Sequence, residues 1–219
     1  MFFRKITGIV LEKKIVKEAD VFFYILSKQD GVLKVYAKGA AKWQNKNLHL
    51  TQPGTKANYW LGYYENHYKL LSGLILSKPS KVFKLYPEIY LWSLKVVKLA
   101  NFKITSENLW YWALNLEKLI IKSPLNFIYW FLFHLTNEIG YGLDLKACSC
   151  GRKLIKAYVS KNELKCEKCH KQGEVLVKEK FLRSFRKIMS LKGPTNFYLN
   201  NDLKRLILRR FRFALGQTS

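Results

Sequence analysis

The chain has 219 residues, with 39 Lys and Arg against 15 Asp and Glu, a formal net charge of +24. That excess exceeds what solubility needs and points to an anionic polymer or surface as partner, while 49% apolar and 15% aromatic residues exclude a disordered basic tail. The length suits one or two domains.

The N-terminal third reads as β structure. "TGIVLEKKIV", "DVFFYILSK" and "VLKVYAKGA" are rich in β-branched and aromatic residues, and Asp30-Gly31 between the last two is a hairpin signal. After the loop "AKWQNKNLHLTQPG" come "KANYWLGYYE" and "HYKLLSGLILS", expected to be two more strands joined near Asn66. Five strands with one long connection after the third predict a small OB-type barrel over residues 1–80. Along the third strand, alternation sends Leu33, Val35 and Ala37 one way and Lys34, Tyr36 and Lys38 the other. The second set mixes cations with a ring, the chemistry that holds single-stranded nucleic acid on the outer face of an OB-fold. Lys42, Trp43 and Lys46 extend it into the loop. The competing reading is a solvated strand face.

The middle of the chain reads as helices: "EIYLWSLKVVKLA" opened by Pro87, "ENLWYWALNLEKLII" capped by Ser106, and "LNFIYWFLFHLTNEIG" behind a Ser123 cap and a first-turn Pro124. Leu109, Trp112, Leu116 and Leu119 form one helical stripe. The apolar run 127–133 is far shorter than the roughly 20 residues a membrane span needs, so a buried core helix is expected and no membrane partner.

Every cysteine of the chain falls in "ACSCGRKLIKAYVSKNELKCEKCH": Cys148, Cys150, Cys166 and Cys169. Two close pairs fifteen residues apart fit a zinc ribbon within residues 146–172, the four thiolates closing a structural Zn2+ site with no open position for catalysis. The first pair is C-x-C where knuckles usually show C-x-x-C, and His170 is an alternative ligand. Disulfides are the other reading; "MFFRKITGIV" has the look of no signal peptide, which favours metal and a cytoplasmic location. Beyond the cysteines, "EKFLRSFRKIMSL" and "NDLKRLILRRFRFALG" predict two more helices, the second capped by Asn201 and carrying Arg205, Arg209 and Arg212 on one face. That row is suited to phosphates; its bland reading is a solvated basic face.

Charge is uneven: +8 over residues 1–78, +2 over 79–145 and +14 over 146–219. The pattern predicts two nucleic-acid-facing surfaces joined by a structural core, an α+β chain with a barrel followed by a helical domain over 81–219. No catalytic constellation stands out. His49, His67, His134 and His170 are dispersed and no G-x-x-x-x-G-K-[ST] loop is present, so an enzyme is not expected. An OB-fold RNA-binding or ribosome-associated zinc protein shares the same features and is the alternative function. A peripheral membrane protein and a metal-dependent enzyme rank below it.

The order of several blocks resembles the bacterial recombination mediator family RecO: Gly8-Ile9-Val10-Leu11, Glu18-Ala19-Asp20, Gly31, "AKGA" at 37–40, Gln52-Pro53 and "EIGYGLDLKACSCGR" at 138–152. The resemblance implies an N-terminal OB-fold, a helical C-terminal domain and a cysteine zinc site. It also implies DNA repair by binding single- and double-stranded DNA, annealing of complementary strands, partnership with RecR and with the C-terminal tail of single-strand-binding protein, and indirect help in loading RecA on the bacterial nucleoid.

Overall fold

The computed structural model describes residues 2–64, 67–100, 105–160, 163–191, 193–195, 199 and 201–216. The chain forms two compact units, residues 1–121 and 122–219.

The first unit is built on five strands, β1 (Phe2–Val16), β2 (Asp20–Ser27), β3 (Gly31–Ala37), β4 (Lys56–Tyr64) and β5 (His67–Ser77). They close in the order β1-β2-β3-β5-β4, with β4 returning to β1. All pairings are antiparallel except β3 with β5, as the OB-type reading requires. One long strand serves both halves: residues 2–9 of β1 pair with β4 and residues 8–16 with β2, with a register shift between Val10 and Glu12. Such a shift bends and twists a strand, which lets β1 turn the corner of the barrel. Alternation fills the interior with Ile6, Val10, Val21, Phe23, Ile25, Val35, Tyr59 and Leu61. The expected junction at Asn66 lies outside the described residues.

Two of the sequence blocks have a packing reason. A Cβ on Gly8 would lie 2.2 Å from Ile25 Cγ2 and 2.8 Å from the Leu26 carbonyl oxygen. Gly8→Ala is therefore expected to cost the barrel about 3 kcal/mol through overpacking, read as a lower urea midpoint; wild-type stability would contradict it. After Gln52-Pro53, Gly54 has φ +81°, donates to the Val10 carbonyl at 2.7 Å, and leaves room for the Tyr90 ring, whose hydroxyl would meet a Cβ at 2.6 Å.

Among the described residues three α-helices complete this unit: α1 (Lys81–Leu85), α2 (Pro87–Ala100) and α3 (Glu107–Lys122, whose last residue crosses the division). The helix α1 was not expected from sequence. On α2, Lys98 pairs with Glu12 and lies 4.0 Å over the Tyr24 ring, holding the helix to the barrel wall. Ser106 caps α3 as expected, its Oγ accepting from the Leu109 N–H at 3.1 Å. Leu109, Trp112, Leu116 and Leu119 are all buried.

The second unit contains α4 (Pro124–Glu138), a three-stranded sheet of β6 (Ala157–Val159), β7 (Leu164–Lys165) and β8 (Val175–Val177) in the order β7-β6-β8, then α5 (Glu179–Met189) and α6 (Asn201–Ala214). Pro124 takes the first turn of α4, but the Ser123 side chain makes no capping bond, its backbone being at φ −161° and ψ 78°. Asn201 is the first helical residue of α6 rather than its cap, and the preceding position lies outside the described residues. Phe127, Trp130, Phe131 and Leu135 of α4 are buried, as are Leu182 and Phe185 of α5 and Leu203, Leu206 and Phe211 of α6, and α4 packs against both other helices. The end of α4 is closed by Gly140 at φ +82°, with the Tyr141 N–H donating to the Thr136 carbonyl at 2.8 Å. This is a Schellman turn, and it explains the glycine in "EIGYGLDL". Among the described residues no helix is long and apolar enough to cross a membrane.

Candidate nucleic-acid groove and cysteine centre

A groove of about 890 Å3 opens on the barrel. One wall is the start of β1 with Phe2, Phe3 and Arg4; another is the β4 and β5 pair with Tyr63, His67 and Tyr68. Phe22 of β2 and Leu33 and Lys34 of β3 line the rest. The pleat dictates this set, because Val21, Phe23 and Ile25 are committed to the core and Phe22 must point outward. Lys34 Nζ sits 4.3 Å over the Phe22 ring, an attraction between a cation and the negative ring face. Phe22 in turn meets Tyr36 with ring centroids 5.4 Å apart, and Tyr36 meets His67 edge-on at 6.1 Å. Arg4 pairs with Asp30 at the β2–β3 turn.

The expected contact residues fall into three places. Lys34 and Tyr36 are on the outer face of β3, Lys34 in the groove and Tyr36 tied by its hydroxyl to Asp20 Oδ2 at 2.5 Å. Asp20 Oδ1 also accepts from the Gly39 N–H at 2.7 Å, so one carboxylate fixes both the ring and the turn in "AKGA". The Tyr36 bond first, then the Gly39 bond, hold Asp20 below the usual carboxylate range. Lys38, Lys42, Trp43 and Lys46 form the second group, all exposed in the loop after β3 and outside the groove lining. Asn45 ties that loop back through the Gly39 carbonyl at 3.0 Å, and Trp43 is 81% exposed. Arg205, Arg209 and Arg212 are the third group, exposed on α6 opposite buried Leu203, Leu206 and Phe211. They belong to the second unit.

Sequence reasoning missed Phe2, Phe3, Phe22, Tyr63 and Tyr68. The signal for Phe22 was present in the alternation of β2; the others reach the groove only through the pairing of β1 with β4 and of β4 with β5. Phe2 and Phe3 are 83% and 73% exposed.

The four cysteines converge. Their sulfurs all lie within 4.8 Å of one another, and Cys150 and Cys166 are 3.7 Å apart. Zinc–sulfur bonds of about 2.3 Å in a tetrahedron place sulfurs about 3.8 Å apart, whereas a disulfide needs about 2.05 Å. All four are free thiols, so the disulfide reading gives way and the donor set fits zinc. The C-x-C pair is accommodated by a tight turn: the Gly151 N–H donates to the Cys148 carbonyl at 2.8 Å, with Gly151 at φ +81°, and the Cys148 N–H donates to the Arg152 carbonyl at 2.8 Å. The second knuckle repeats the device, with the Cys169 N–H donating to the Cys166 carbonyl at 3.0 Å. Backbone N–H groups of Cys150 and then Cys166 pull the Cys148 thiol down to about 6, favouring thiolate. His170 stands apart from the sulfurs. Its ring stacks on Tyr158 at 3.9 Å and its Nδ1 lies 2.6 Å from the Glu167 carbonyl oxygen.

Arg186 of α5 supports the first knuckle by donating to the Leu145 carbonyl at 2.6 Å and the Leu154 carbonyl at 2.5 Å. Asp144 accepts from the Ala147 and Lys146 N–H groups, which, in that order, hold its carboxyl below the usual carboxylate range.

Two family models match the chain: Recombination protein O N terminal over residues 1–77 and Recombination protein O C terminal over residues 114–212. No curated protein matches it. The two models together take in the barrel, the second half of α3, the helices α4 to α6 and the cysteine centre, so the chain belongs to the recombination protein O family, whose role lies in DNA repair and recombination.

Proposed function

We propose that this chain holds single-stranded DNA in the barrel groove, gathers duplex or a second strand on basic surfaces that include Arg205, Arg209 and Arg212, and anneals complementary strands as a recombination mediator. The observation that carries this reading is the groove itself, where Phe22, Tyr63 and Tyr68 stand beside Lys34. Rings give bases a sequence-tolerant stacking surface, worth about 1–3 kcal/mol per base, and cations displace counterions from phosphate. Two strands held on cationic protein no longer repel each other as they do in water, and bases stacked outward are free to pair. This work needs no nucleotide hydrolysis and no catalytic residue.

Cys148, Cys150, Cys166 and Cys169 would hold a structural zinc ion, which when bound supplies a rigid cross-link and no Lewis-acid chemistry. Cooperation with RecR, engagement of the tail of single-strand-binding protein and assistance to RecA in the bacterial cytoplasm complete the reading. Its support is membership of the family.

The test is strand annealing and DNA binding across a salt series, without nucleotide. Phe22→Ala with Lys34→Gln is expected to weaken single-strand binding about tenfold and duplex binding much less. Replacing Arg205, Arg209 and Arg212 by Gln should lower the slope of log affinity against log salt by about two. Annealing that required ATP, or RNA outcompeting DNA of equal length, would overturn the proposal.

A further inference from the structure

The cysteine centre carries a feature beyond its sulfurs. A pocket of about 250 Å3 lies between the strand leaving the first knuckle and the tip of the second. Arg152, Lys153 and Lys156 line one side and Lys168 the other, all exposed. Among the described residues none of these four takes part in an ion pair. Lys165, in the same small sheet, behaves differently: it lies 3.6 Å from Glu163 and 3.8 Å from Glu174. The acids of the knot are thus engaged away from the pocket, and Glu167 is the one acid on its wall.

The thiolates do not account for this charge. Four thiolates around a divalent ion leave two net negative charges, fewer than the four cations of the pocket. Among those cations Ile155 is 61% exposed, while its neighbour Leu154 is fully buried. An apolar side chain ringed by unpaired cations matches a polymer that alternates phosphates with sugar and base surface. The two walls, residues 152–156 and 166–168, approach each other because the four sulfurs converge, so the pocket's shape is set by the centre.

We infer that this pocket is a second polynucleotide contact, in which phosphates of a single strand lie against Arg152, Lys153, Lys156 and Lys168 and a sugar or base edge rests on Ile155. The inference rests on the nucleic-acid reading above and adds a site outside the barrel and outside the α6 arginines.

The experiment measures binding of a dT oligomer by anisotropy across a salt series, using the full chain, with zinc per chain determined for each variant. In R152Q/K153Q/K156Q/K168Q the salt slope is expected to fall by about two to three and the low-salt affinity at least tenfold, at unchanged zinc content. Glu167→Gln should act in the opposite direction and tighten low-salt binding about twofold. If the quadruple variant fails to fold, Lys156→Gln and Glu167→Gln decide the matter by their opposite signs. Wild-type affinity and slope in these variants overturn the pocket while leaving the groove reading intact, provided that Phe22→Ala with Lys34→Gln still weakens binding. Absence of binding by the wild-type chain overturns both. Loss of binding to phosphatidylglycerol vesicles with oligomer binding unchanged would also overturn the proposal, assigning the pocket to a lipid surface.

Discussion

Cys166→Ser, or exhaustive chelation of the wild-type chain, is expected to abolish metal retention and unfold the region around the two knuckles while the barrel stays folded. The reason lies in how little else holds that region. Its strands β6, β7 and β8 are three, two and three residues long, and their buried side chains are mainly Ala157, Leu164 and Val177. Short strands with so small an apolar core do not stand alone in water. Convergence of four thiolates on one ion supplies the missing free energy, on the order of 10 kcal/mol by comparison with small zinc domains. Hydrogen exchange should report loss of protection across residues 147–177 with β1 to β5 unchanged, and zinc analysis should fall from one ion per chain to none. Full protection in metal-free protein would contradict this account. Because Arg186 binds the carbonyls on both sides of the first knuckle, the C-terminal helices should lose stability along with it.

The second large effect is one of pH. His134 lies on α4 between the rings of Trp130 and Phe133, with centroids at 4.7 and 5.3 Å. Burial is the main cause that pulls its pKa down to about 4, against smaller opposing effects from Glu138 and the Met189 carbonyl. A neutral imidazole is therefore retained in the folded unit at a pH where the unfolded chain, with a pKa near 6.5, already binds a proton. Above about pH 6.5 both states are neutral and the residue has no effect. Stability is then lost as pH falls from about 6.5 to about 4, where the loss reaches about 3 kcal/mol. Urea denaturation of the second unit at pH 7 and pH 4.5 should show this loss in the wild type and a smaller one in His134→Leu. Equal losses in both proteins would show that other groups carry the acid sensitivity.

Much of this architecture was legible in the sequence, and the reasons are local. The barrel strands declare themselves because Val21, Phe23 and Ile25 alternate with Phe22 and Tyr24, and α3 does so because Leu109, Trp112, Leu116 and Leu119 repeat at helical spacing. The cysteine centre is legible because metal chemistry constrains spacing within two short segments. What escaped is either too short or too distant. The five residues of α1 and the two of β7 carry no periodicity to detect. Phe2 and Phe3 come to face Tyr63, Tyr68 and Lys34 only when the sheet closes, a result of pairing between segments some sixty residues apart. Ser123 shows a different limit, since a residue of capping type next to a helix does not fix which backbone angles it adopts, and Asn201 shows that such a residue can stand inside the first turn instead.

Among the described residues the parallel join of β3 with β5 has two registered pairs, Val35 with Tyr68 and Tyr36 with Lys69, whereas β1 with β4 and β4 with β5 have eight and nine. A ring parts first at its thinnest seam. Here the seam borders the aromatic cleft, so amide exchange is expected to start at this place while the hoop elsewhere keeps its shape.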